Sequence, residues 1–170
     1  MHKMNETENL SERTIDFQEL LTSQQTLLLS TASASCVPDL SYAPFVRDQA
    51  GYFYIFVSEL ACHTANLFNN PLASVMFIRP ESEARNLFAR ERAVFNCSVK
   101  ALDRDEPTYT AQLTALQDKF GEVVSVLRSL SDFHLFALCP ESGQYVAGFG
   151  RAYTINVEDD TLSPLTKKQG

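Results

Sequence analysis

The sequence predicts a mostly antiparallel β-barrel with helical additions. Three observations lead there. Five to seven short extended runs recur along the chain, rich in aromatic and β-branched residues, as in Tyr52 to Val57 and Leu72 to Ile78. Turn-forming clusters separate several of them, such as Asp48-Gln49-Ala50-Gly51, where glycine supplies positive φ. Two or three segments instead carry helical spacing and read as additions to the barrel.

In chain order, residues 1–10 are polar and read as a flexible tail. Ser11 is placed to cap a helix to about Thr22, with Phe17, Leu20 and Leu21 on one face. Gln25 to Ala32 is a strand, Ser33 to Pro38 a turn and Leu40 to Val46 a second strand. Tyr52 to Val57 is the third. A short helix containing His63 follows, stopped at Asn69-Asn70-Pro71 because proline disfavours helical geometry in the residue before it. Leu72 to Ile78 is the fourth strand, and a charged loop leads to a fifth, Ala93 to Leu102, which Arg92 opens.

Pro107 suits the first turn of a helix. Tyr109, Leu113, Leu116, Phe120, Val123, Leu127 and Leu130 then form one apolar stripe, which Gly121 divides into two helices. Phe133 to Cys139 is a strand, Pro140 to Gly143 a turn, and Gln144 to Val157 a last extended segment in which Gly148 and Gly150 suggest a bulge or a close backbone approach. The domain reading is a tail at 1–10, one domain at 11–157 and a polar tail at 158–170.

Composition narrows function. The chain has 170 residues, 45% of them apolar, enough for one cored domain. Net charge of −7 argues against nucleic acid, which wants clustered cations. Cys36, Cys62, Cys97 and Cys139 form no C-x-x-C unit, so zinc and redox motifs are not expected. All but Cys36 sit in or beside apolar runs, as small buried hydrophobes would. Neither a secretory signal nor a membrane span is predicted, so the expected location is the cytoplasm, with reduced thiols.

The stretch from Leu60 to Pro71 carries the functional argument. His63 stands near a helix N-terminus, where unpartnered N–H groups favour anions; it is also compatible with a histidine of no special role. Ser58, His63-x-x-Asn66-Leu67 and Asn70-Pro71 before a strand resemble the FMN-binding split-barrel superfamily that includes pyridoxamine-phosphate oxidases. In flavin-binding members Lys or Arg often stands at the place of His63 and contacts the FMN phosphate. Histidine there resembles the haem-utilisation branch of HugZ/HutZ type. Asn86 to Arg92, Asp132-Phe133 and Val146 to Ala152 are similar to that branch too, and the likeness spans about Gln25 to Val157.

The resemblance implies an antiparallel split β-barrel with flanking helices, and a homodimer binding haem at the subunit interface. It implies oxygen-dependent opening of the porphyrin with release of iron, driven by an electron donor. Such chemistry needs an iron ligand, cover for the macrocycle and partners for two propionates. His63 is the candidate haem contact or iron ligand. Arg92 is a candidate for a propionate or flavin phosphate, beside a plain solvated role. Asp132 is either a turn aspartate or a partner orienting a ligand. Members commonly carry an iron-ligating histidine in a C-terminal loop; here the histidines are His2, His63 and His134. Either that segment is missing or altered, or the ligand comes from elsewhere. His2 falls in the tail and His134 in a strand, where a structural or solvated role is expected. An FMN-dependent oxidoreductase and a non-catalytic haem carrier or store remain alternatives.

Overall fold

A computed structural model describes residues 2–165, with side chains for 10–165. Eight strands form one sheet: Thr26–Ala32 (β1), Pro38–Arg47 (β2), Phe53–Ser58 (β3), Leu72–Ile78 (β4), Arg92–Ala101 (β5), Phe133–Gly148 (β6), Arg151–Ile155 (β7) and Leu162–Pro164 (β8). Their order is β3-β2-β1-β4-β5-β6-β7-β8, and a further β3–β6 pairing closes the first six into an antiparallel barrel. Closure removes unpaired strand edges. Four helices accompany it: His2–Ser23 (α1), Cys62–Asn69 (α2), Pro107–Phe120 (α3) and Glu122–Arg128 (α4). The split-barrel fold with flanking helices is thus the one expected.

The residues fall into two compact units. The first comprises 1–24, 76–95 and 141–170; the second comprises 25–75 and 96–140. The first unit has an aromatic core. Phe17 of α1 packs on Phe95 of β5 and on Tyr145 of β6, at centroid separations of 6.2 and 5.4 Å, and Tyr145 stacks with Tyr153 of β7. In the second unit Tyr109, Leu113 and Leu116 of α3 pack with Val46, Tyr54, Leu135 and Ala137 of the barrel strands. Lys119 closes that contact. Its Nζ lies 4.3 Å from the Phe45 ring centroid and donates to the Phe45 carbonyl at 2.8 Å.

Most element boundaries follow the sequence reading, and five features depart from it. First, α1 begins at His2 rather than at Ser11. Second, no turn forms at 140–143, because β6 runs unbroken for 16 residues. Gly143 is required there by packing: a Cβ would stand 2.9 Å from Phe95 Cδ1 and 3.0 Å from Ile155 Cδ1. The chain reverses instead at Phe149-Gly150, after a register shift between Val146 and Gly148 that realises the expected bulge. Third, the apolar stripe ends at Gly121, whose φ of 79° resets the helix phase. Val124 is therefore buried, while Val123 and Leu130 are exposed. Fourth, Cys62 is exposed rather than a buried hydrophobe, whereas Cys97 is buried. The segment after 158 also contributes β8.

Candidate functional site

In the second unit the site is built at the end of β3. Ser58 is the last residue of that strand, and its hydroxyl donates to Asp132 Oδ2 at 2.7 Å. The same hydroxyl accepts from the Leu60 N–H at 3.1 Å. The Ser58 carbonyl accepts from Thr64 Oγ1 at 2.6 Å, and the Asp132 carbonyl accepts from the Glu59 N–H at 2.9 Å. One serine thus ties the start of α2 to the residue that leads into β6. Asp132 is a turn aspartate with a defined partner. Its Oδ1 has no hydrogen bond among the described residues.

α2 starts here because Ser58 and Thr64 fix the entry, although Ala61 at the N-cap offers no side-chain bond. It ends at Asn69, and Asn70 is extended, as Pro71 requires. His63 and Thr64 face inward, and Asn66 donates to Thr31 Oγ1 of β1 at 3.0 Å. His63 is only 8% exposed, and its Nε2 is buried without a hydrogen-bond partner. Burial lowers its pKa, opposed by the nearby Asp39 carboxylate, so the imidazole is neutral at neutral pH. A neutral ring keeps a lone pair for a metal or a proton. It cannot act as a permanent cation for a phosphate.

His134 is placed otherwise. Its Nε2 lies 2.6 Å from Glu59 Oε1, and Phe68 meets its ring edge-on at 5.0 Å. This histidine is engaged structurally. The side chain of His2, and residues 166–170, lie outside the described residues.

Arg92 belongs to the first unit. It opens β5, and its Nη1 donates to the Arg90 carbonyl at 3.0 Å. It lines a cleft of about 440 Å³ with Phe88, Phe149, Arg151 and Leu165. Phe88 is 95% exposed and Phe149 81%. Neither Arg92 nor Arg151 has a carboxylate partner among the described residues. Glu91, the neighbour of Arg92 in the chain, accepts from Arg79 Nε at 2.8 Å and from the Tyr145 hydroxyl at 2.7 Å. Burial first, and Glu91 second, drive the Tyr145 pKa far upward, so its hydroxyl stays a donor.

His63 and Asp132 therefore share the second unit without a bond between them; Ser58 links the two segments, its hydroxyl on the Asp132 carboxylate and its carbonyl accepting from Thr64, the neighbour of His63. The sequence reading did not single out Arg151, Phe88 and Phe149. A signal existed for the last of these: an aromatic flanked by two glycines, Gly148-Phe149-Gly150, sits at a turn tip where no core can receive it. Among the described residues no cluster of three or more His, Cys, Asp or Glu is arranged to hold a metal ion.

The comparisons with known proteins agree with this architecture. The family model of pyridoxamine 5'-phosphate oxidase matches residues 14–147. The chain is 40% identical over 144 residues to heme oxygenase HutZ of Vibrio cholerae, covering 85% of this chain and 81% of that protein. The crystal structure of Vibrio cholerae HutZ, there called a heme storage protein, matches with TM-score 0.70 and 38% identity over 74% of this chain and 88% of the other. ChuZ of Campylobacter jejuni matches with TM-score 0.79 and 31% identity over 91% of this chain and 63% of ChuZ. The chain belongs to the pyridoxamine 5'-phosphate oxidase family, and within it to the haem-utilisation proteins of HutZ type.

Proposed function

We propose that this protein binds haem and opens its porphyrin ring with oxygen, releasing iron for haem-iron utilisation. The observation that carries the reading is the cleft of Phe88, Arg92, Phe149 and Arg151. It pairs exposed aromatic surface with two guanidiniums that have no carboxylate partner among the described residues. Haem asks for that combination: a flat apolar disc bearing two carboxylates. The relatives support it by their names, HutZ being called both a heme oxygenase and a heme storage protein.

In this reading haem is the substrate, and ring opening consumes oxygen and reducing equivalents. Arg92 and Arg151 hold propionates while the phenylalanines cover the macrocycle. His63, in the second unit, is a separate candidate for a nitrogen donor: its ring is neutral and its buried Nε2 has no hydrogen-bond partner. Asp132 is positioned by Ser58 and keeps Oδ1 to accept from the second nitrogen of a ligating imidazole. A homodimer, an external electron donor and a cytoplasmic location complete the proposal. No helix among the described residues is long and apolar enough to cross a membrane. The FMN alternative is disfavoured by His63, whose burial denies the phosphate a cation.

Haemin titration tests the reading. A saturable Soret band is expected, weakened in Arg92→Ala and in Phe149→Ser. With ascorbate and oxygen the bound haem should turn into a biliverdin-type product; binding without turnover would mark a carrier. Yellow protein retaining FMN, with no Soret change, would reverse the assignment. Sedimentation of a stable monomer at micromolar concentration would remove the dimer.

A further inference from the structure

The first unit holds another cleft, of about 470 Å³, between the connection from β4 to β5 and the β6–β7 turn. Arg79, Arg85, Arg90 and Arg151 line it, with Asn86 and the acidic Glu83 and Glu91. The four cations are not equivalent. Arg79 bonds Glu91 at 2.8 Å and approaches Glu83 at 3.9 Å. Arg90 donates to the Arg79 carbonyl at 2.7 Å and to Glu81 at 3.3 Å. These two build the wall. Arg85 and Arg151 have no hydrogen-bond or ion-pair partner among the described residues.

Two unpaired guanidiniums converging on one cleft run against the sign of the whole molecule. The chain carries −7, yet five of its nine arginines lie in 79–92 or at 151. A local positive field on an acidic protein attracts small anions specifically to that place. The Arg151 guanidinium lies close to the Gly148 backbone: Gly148 has φ of +154°, and a Cβ there would stand 2.8 Å from Arg151 Nη2. Asn86 adds a donor. Its Oδ1 accepts from the Phe88 N–H at 3.0 Å, which leaves Nδ2 free to donate.

We infer that this cleft binds the phosphoryl group of a small molecule, with Arg85 and Arg151 as its forked donors and the Asn86 amide as a third. Two guanidinium forks plus an amide need more than the two oxygens of a carboxylate; a phosphoryl group presents three, with up to two charges. The site goes beyond haem binding; it shares Arg151 with the Phe88 cleft, so phosphate and haemin compete for that guanidinium, while Arg85 and Asn86 line this cleft and not the other.

The test uses the full haem-free chain. Inorganic phosphate and, separately, a nucleoside diphosphate are titrated calorimetrically, with arginine Nε–H resonances followed by NMR. Saturable binding is expected, and Arg85→Gln should weaken it about tenfold or more. Arg85 is exposed and unbonded, so this variant keeps its fold. Arg104→Gln removes the same charge within the second unit and should leave affinity unchanged. Tighter binding of the nucleotide would identify an organic phosphate, and equal binding free phosphate; both uphold the site. Haemin affinity of Arg85→Gln should match that of the wild type, because Arg85 does not line the Phe88 cleft. The inference is overturned if binding does not saturate, or if both variants lose it alike, since net charge then explains it. It is equally overturned if Arg85→Gln loses haemin affinity in step with phosphate. Wild-type protein that fails to bind haem but binds phosphate would sink the haem reading and leave this one standing.

Discussion

The arginines of the first unit and His63 of the second arise as candidates for one ligand, but their environments are opposite. Arg92 and Arg151 face open clefts beside rings that are nearly fully exposed. His63 is 8% exposed and held neutral, on a helix whose inward face Asn66 ties to Thr31. Exposed charge recognises ligands at little cost to folding, because water satisfies it in their absence. A buried unpartnered nitrogen costs free energy continuously and persists only where the surrounding structure holds it. The first unit is therefore arranged for recognition, and the second for restraint at one imidazole.

Four substitutions sharpen or break that contrast. The largest effect is expected from Glu91→Ala. It strands the Tyr145 hydroxyl and the Arg79 guanidinium, each largely buried, and should lower unfolding free energy by about 3 kcal/mol in denaturant titration. A loss within error would show that this network does not hold the first unit together. Next is Gly143→Ala, whose new methyl meets Phe95 and Ile155 at about van der Waals overlap. Overpacking of this kind costs about 2 kcal/mol, read as a shifted denaturation midpoint with unchanged slope. Free accommodation of the methyl would mean that β6 can move off β5 and β7.

In the second unit, Asn66→Ala leaves the buried Thr31 hydroxyl without its partner, at a cost of about 1.5 kcal/mol. The double change with Thr31→Val should restore part of it, which a double-mutant cycle measures. The smallest effect is the pH dependence carried by His63. Burial disfavours its imidazolium, so the folded-state pKa lies below the ordinary 6.5. Above that value both states are neutral and the group contributes nothing to stability. As pH falls through it, the unfolded chain takes up the proton first and stability is lost, until the folded state is protonated too. His63→Gln should flatten that decline. Urea midpoints of the two proteins that fall in parallel on acidification would place the imidazole in water rather than in the core.

Local patterning made much of this molecule legible in advance. β4 occupies the expected Leu72 to Ile78, Pro107 opens α3, Pro71 ends α2, and Gly121 separates α3 from α4. Each rests on a preference of a few neighbouring residues, which sequence displays directly. The branch-specific motifs around His63, Asn86 to Arg92 and Gly148 to Ala152 likewise led to the family without coordinates.

Only tertiary structure decided the rest, because it turned on what meets a residue from far along the chain. Pro140 to Gly143 has the composition of a turn, yet Phe95 and Ile155 require a glycine in an unbroken strand. Val123 continues a perfect apolar stripe, yet a single positive φ at Gly121 turns it outward and brings Val124 in. His63 looked like an anion contact at a helix start; Asn66 and Thr31, separated by 35 residues, draw that face of α2 inward and leave the imidazole buried, neutral and unpaired. Desolvation and close packing are properties of assembled surfaces, so no window of sequence contains them.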